Sequence, residues 1–169
     1  MDYYINGTLV GQTAADGSFT YKAGDTITFK VGDVTVGSIL GSNVNPDGNI
    51  MPQDLADVPR TDTTDATVVK LAQFLQTLDS DGDASNGITI DAAEVLTLLD
   101  GLGATTIDGT TDVATLFDGG ETIVTEAAAT THLNVTTNEA AGVTVATTFK
   151  GTAAQALLIT NAVGATTAL

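Results

Sequence analysis

The chain has 169 residues, 43% of them apolar and 15% charged, enough to bury a core in one domain or two small ones. Lysine and arginine number 5 against 21 aspartates and glutamates, a net charge of −16 that repels nucleic acid and anionic membrane surfaces and favours divalent cations. Cysteine is absent, which excludes disulfides, thiolate nucleophiles and zinc–thiolate sites.

Membrane insertion is not expected, because no apolar run approaches the ~18 residues of a membrane helix. Met1-Asp2-Tyr3-Tyr4 lacks the basic residues and apolar stretch of a secretory signal. The first forty residues read as β-hairpins. Asn6-Gly7 stands between Tyr3-Tyr4-Ile5 and Thr8-Leu9-Val10, the strongest short-range hairpin signal. Asp16-Gly17 predicts a turn into a strand over Ser18–Tyr21, and Ala23-Gly24-Asp25 a turn into Thr26–Val31. There Ile27, Phe29 and Val31 share one face, with Thr26, Thr28 and Lys30 on the other. Gly32-Asp33 reverses the chain into Val34-Thr35-Val36, completing an antiparallel sheet with one buried face.

Gly41–Leu55 reads as a loop rich in Asn, Asp, Gly and Pro. From Asp65 the period turns helical: Val68, Leu71, Ala72, Leu75 and Leu78 form one stripe with Phe74 beside it. After a loop at Asp79–Thr89, a short helix is predicted from Asp91, with Val95, Leu96 and Leu99 inward and Gly101 and Gly103 closing it. Further helical pieces are predicted over Asp112–Phe117 and over Glu126–Val135, the second capped by Thr125. Val143, Val145, Thr147 and Phe149 alternate with Thr144, Ala146 and Thr148, the pattern of a strand, while Ala153–Thr160 fits helix or strand.

The segment with chemistry is Asp79-Ser80-Asp81-Gly82-Asp83-Ala84-Ser85-Asn86-Gly87-Ile88-Thr89-Ile90-Asp91-Ala92-Ala93-Glu94. Carboxylates at alternate loop positions repel one another, and Asp79, Asp81 and Asp83 occupy the places from which a helix–loop–helix site supplies its first calcium ligands. Ile90 followed by Glu94 matches the second half of such a loop, where a glutamate closes the coordination shell. The expected cofactor is therefore Ca²⁺, held by Asp79, Asp81, Asp83, Asn86, Ile88 through its carbonyl, and Glu94. Two features depart from an EF-hand. Asp79 to Glu94 spans 16 residues rather than about 12, and Ala84 stands in place of the usual glycine. The added length is expected to be taken up by a turn at Asn86-Gly87, with Ile88 or Ser85 lending a carbonyl. A competing reading makes the aspartates a solvated turn and pairs Asp91 with Glu94 as a helix cap.

Asn45, Asp47 and Asn49 form a second alternating set, for which an ordinary turn is the favoured reading. His132, the single histidine, reads as a helix residue packing under the sheet, and no serine near it sits in a nucleophile-elbow pattern. Eight aromatic residues without tryptophan offer little for sugar stacking.

Two stretches together resemble a module of large Gram-negative secreted adhesins, surface lipoproteins and proteins with immunoglobulin-like domains. They are Gly11–Phe29, with its Asp16-Gly17-Ser18-Phe19-Thr20-Tyr21-Lys22-Ala23-Gly24-Asp25 core, and Leu71–Asp83 followed by Asn86-Gly87-Ile88. Ala129-Thr130-Thr131-His132-Leu133 resembles the module's last helix. The sheet alone is also similar to carboxypeptidase-regulatory-type sandwiches. The resemblance spans about residues 3–136 and implies an extracellular scaffold or adhesive role with no catalytic residues to carry across.

It also implies an α+β fold, an antiparallel β-sandwich-like sheet over residues 1–60 with a small helical insert over 61–136 carrying an EF-hand-like loop. Residues 137–169 form a C-terminal strand or tail. The module's opening strand is missing before Tyr3-Tyr4, which leaves an edge for the tail to complete in cis or in a neighbouring subunit. The expectation is a non-enzymatic, calcium-stabilised module or surface filament subunit forming a homo-polymer by edge-strand pairing. The alternatives are a carbohydrate- or protein-binding module using Tyr3, Tyr4 or Gly41–Asn49, and a hydrolase with paired carboxylates.

Overall fold

A computed structural model describes residues 1–15, 17–99, 103–140 and 160–161. The chain is a mixed α+β fold built on a five-stranded, mostly antiparallel sheet in the order β2-β1-β3-β4-β6. Its strands are β1 (Asp2–Ile5), β2 (Thr8–Gln12), β3 (Thr26–Val31), β4 (Val34–Leu40) and β6 (Thr105–Thr106). The β1–β2 turn forms as predicted, with Asn6 and Gly7 both at positive φ, 51° and 81°. Asn6 also ties that turn to β3: its side-chain oxygen accepts from Thr26 N at 2.9 Å and its amide donates to Asp25 Oδ1 at 3.0 Å.

One sheet face is core. Tyr3, Ile27, Phe29, Val31, Val34, Val36 and Ile39 are buried on it, while Thr28 and Ser38 share a hydroxyl hydrogen bond at 2.8 Å on the other face. Residues 18–21 form an isolated bridge at Phe19 instead of a strand. Phe19 serves as a plug, its ring 5.5 Å from Tyr3, 5.5 Å from Tyr21 and 5.2 Å from Phe29. Thr105-Thr106 carries no strand pattern in its sequence, yet it forms β6. It runs parallel to β4, pairing Thr105 with Val34 and Thr106 with Thr35.

Helices cover the core face. The short α1 (Pro52–Leu55) approaches β4 at Gly37, where a Cβ would stand 2.9 Å from Leu55 Cβ, so only glycine fits. The long α2 (Ala66–Thr77) is capped by Asp65, whose Oδ1 accepts from Val68 N at 3.1 Å. The single stripe read from its sequence divides between two partners. Leu71, Phe74, Leu75 and Leu78 join the main core, whereas Val68 and Ala72 pack with Ala129 and Leu133 of α4 (Glu126–Ala140). Thr125 caps α4 as predicted, accepting from Ala128 N at 3.2 Å. The piece expected over Asp112–Phe117 is a 3-10 turn, Val113–Leu116, and α3 spans Ala92–Leu98.

A second packed sheet, the partner a sandwich requires, is not found among the described residues. The other ladder is small: β5 (Asn49–Ile50) pairs antiparallel with β7 (Thr160–Asn161). The strand predicted over Val143–Phe149 lies outside the described residues, as does all of Ala153–Thr160 except Thr160.

Candidate metal centre

The Asp loop begins where α2 ends. Leu78 closes the helix, and Gly82, at φ 68°, turns the chain back so that its N–H donates to the Asp79 carbonyl at 3.0 Å. Two Asx turns follow. Asp81 Oδ1 accepts from Asp83 N at 2.9 Å, and Asp83 Oδ1 accepts from Ser85 N at 3.1 Å and from Ser85 Oγ at 2.5 Å. A 3-10 turn over Ala84–Asn86 and Gly87 at φ 109° absorb the extra length, as the sequence suggested.

The loop then returns to its start. Ser80 N donates to the Thr89 carbonyl at 2.9 Å, and Thr89 N donates to Asp79 Oδ1 at 2.9 Å. Between these ends Ile88 is half-buried and touches both hydrophobic clusters, the sheet core and the α2–α4 seam. Ile90 packs on the sheet core. Apolar anchors thus bring the loop's two ends together.

Asp79 is the unusual member. It is 7% exposed, and its Oδ2 is buried with no hydrogen-bond partner. Burial pushes its pKa above the ordinary Asp value; the Thr89 hydrogen bond opposes that, and the carboxylates of Asp81 and Asp83 reinforce it. An acceptor left without a donor in such a place costs about 1–3 kcal/mol. Asp81 and Asp83 are exposed, so the loop presents one buried carboxylate beneath two solvated ones.

The rest of the expected ligand set is less gathered. Asp91 caps α3, its Oδ1 accepting from Ala93 N at 2.7 Å, and Glu94 sits exposed in that helix's first turn. Asp91 is thus the N-cap of α3. Asn86 ends the 3-10 turn, and Ile88 lies just beyond it. Among the described residues, no group of three or more acidic or histidine side chains is drawn together as a finished metal cage.

The second alternating set is a turn, as favoured from sequence. Asp47 N donates to Asn45 Oδ1 at 3.4 Å and Asn49 N to Asp47 Oδ1 at 2.9 Å. Its positive charge is supplied by Arg60. The guanidinium meets Asp47 Oδ2 at 2.6 Å, Asp54 Oδ2 at 2.7 Å and the Asn49 carbonyl at 2.6 Å. Sequence reasoning missed this clasp because its members lie 6 to 13 residues apart without any periodic signal.

Tyr3 is not available to a ligand: it is 7% exposed, packed against Phe19. Tyr4 lies on the opposite face, with Lys30 Nζ 5.2 Å from its ring centre. His132 is half-buried on α4. In comparisons with known proteins, no family model matches the chain, and neither a curated protein nor a solved structure does.

Proposed function

We propose that this chain is a non-enzymatic, calcium-stabilised structural module of a bacterial cell surface, adhesive or filament-forming in role. The observation that carries the calcium reading is the Asp79 carboxylate, buried with one oxygen lacking a donor and pressed by two neighbouring carboxylates. A divalent cation removes both penalties at once, and an all-oxygen donor set suits calcium. Asp79, Asp81 and Asp83 would hold it, with Asn86, the Ile88 carbonyl and Glu94 as the further ligands. Support for the surface location is the acidic, cysteine-free composition together with the resemblance of the two sequence stretches.

Calcium here has no chemical step to perform. It ties the end of α2 to the start of α3, and so fixes both against the sheet. Extracellular sites of this type bind with Kd of about 10⁻⁴ to 10⁻³ M. At a hundredfold excess over Kd, folding gains about 2.7 kcal/mol.

The test is thermal melting of wild type and Asp81→Ala in calcium, in magnesium and in chelator. A calcium-specific rise in Tm that the substitution abolishes is the expected result. Identical melting in all three conditions would overturn the reading.

A further inference from the structure

Among the described residues, nothing pairs with the outer edge of β2, and that edge is unguarded. Natural sheet edges are commonly protected by charges or proline. Residues 6–15 contain neither. Leu9 and Val10 stand 54% and 53% exposed on this strand, and Leu40, at 47%, lies on the same sheet. A bulge leaves Val10 without a partner on β1, between Leu9 opposite Tyr4 and Gly11 opposite Tyr3.

The chain's charge is unevenly placed. All 21 acidic residues precede Ala141, and from there onward the only charged side chain is Lys150. Two bodies this acidic resist approach, whereas an uncharged segment ending in a lysine meets no such barrier. Val143–Phe149 is that segment, and it carries the period-two alternation of a strand. Within one copy the described tail residues, Thr160 and Asn161, pair with β5 and leave Leu9 and Val10 uncovered.

We propose that the edge of β2 takes up Val143–Phe149 of a second copy of this chain as an added strand. Main-chain hydrogen bonds supply the affinity, and the alternating apolar row supplies the register against Leu9 and Val10. Such a contact is heterologous: each copy offers one edge and donates one segment, so assembly proceeds head to tail. The inference rests on the reading of the chain as a self-assembling surface module and does not depend on calcium occupancy.

The absence of native cysteine makes the test clean. Full-length Val10→Cys and Val145→Cys chains are mixed under mild oxidation, with Val143→Cys and Thr147→Cys as register neighbours. The expected result is a mixed disulfide between the two kinds of chain. Dimers of Val10→Cys alone would mean that β2 pairs with β2, and would overturn the proposal. So would an intramolecular disulfide in the doubly substituted monomer, or no disulfide at all. Val10→Lys gives an independent check: sedimentation should shift from oligomer to monomer with the circular-dichroism spectrum unchanged, and a wild type that is already monomeric at working concentration would overturn the proposal. Run in calcium and in chelator, the experiment separates the two readings. A mixed disulfide with calcium-independent melting ends the calcium reading alone, and calcium-raised melting without a mixed disulfide ends this one alone.

Discussion

The backbone N–H of Thr89 donates to Oδ1 of Asp79 at 2.9 Å, while Oδ2 of the same carboxylate is buried and has no donor. One oxygen therefore holds the loop closed, and the other has no hydrogen-bond partner. The two atoms of this side chain differ in their partners, and substitutions can separate the folding role of one from the binding role proposed for the other.

Asp79→Asn is the first such substitution. The amide keeps an oxygen for Thr89 N and replaces the orphaned acceptor with a donor that Asp81 can receive. In chelator the variant should melt above wild type, by about 1 kcal/mol of stability. In calcium the order should reverse, because the ion loses its buried ligand. Equal melting of the two proteins in chelator would show that the Asp79 charge is not a burden to the metal-free fold.

The pH dependence follows from the raised pKa of Asp79. A carboxyl that binds its proton more tightly when folded contributes stability that is full below the ordinary Asp value and is lost as pH rises through its folded pKa. The gap between Asp79→Asn and wild type in chelator should therefore close as pH falls below about 4. The calcium-induced rise in Tm should shrink over the same range, since protons compete for the ligand. Asp62 and Asp108 act in the opposite direction. Their depressed pKa values, caused by hydrogen bonds from Thr64 and Thr110, give stability present above the ordinary value and lost on acidification. Comparing variant with wild type cancels them.

Arg60→Lys tests the clasp that holds the 45–54 loop. A lysine cannot reproduce the fork that spans Asp47, Asp54 and the Asn49 carbonyl. The expected cost is about 1–2 kcal/mol, measured by urea unfolding. The calcium response should be unchanged, because the clasp shares no residue with the Asp loop.

Gly37→Ala should destabilise through packing alone. The new methyl meets Leu55 at 2.9 Å, which forces α1 away from β4. A loss of about 1–3 kcal/mol is expected, measured by urea unfolding.

Elements that carry their own local signal were readable from sequence. Asn6-Gly7 fixed the first hairpin, alternation over Ile27–Val31 fixed β3 and its buried face, and Asp65 and Thr125 marked two helix starts. What was unreadable depends on partners distant in the chain. Thr105-Thr106 has no alternation to betray a strand, and becomes one only because β4 offers it a parallel edge. Phe19 sits in a strand-like run, yet three rings capture it and the run forms no ladder. The stripe on α2 gave its apolar residues correctly but not that two neighbours divide them. In the Asp loop the spacing located the carboxylates; that Asp79 is buried while Asp81 and Asp83 are exposed is not encoded in the spacing.

That division of α2 sets a path for mechanical load. Ala129 and Leu133 grip Val68 and Ala72 on one side, and Leu71, Phe74 and Leu75 grip the sheet on the other. Tension entering through α4 reaches the sheet in part across α2, with a second route through Thr63, which bonds Asn134, and through Ala56 and Val58. The Asp loop lies at the end of α2, so an ion bound there would brace one of the links that bear the pull.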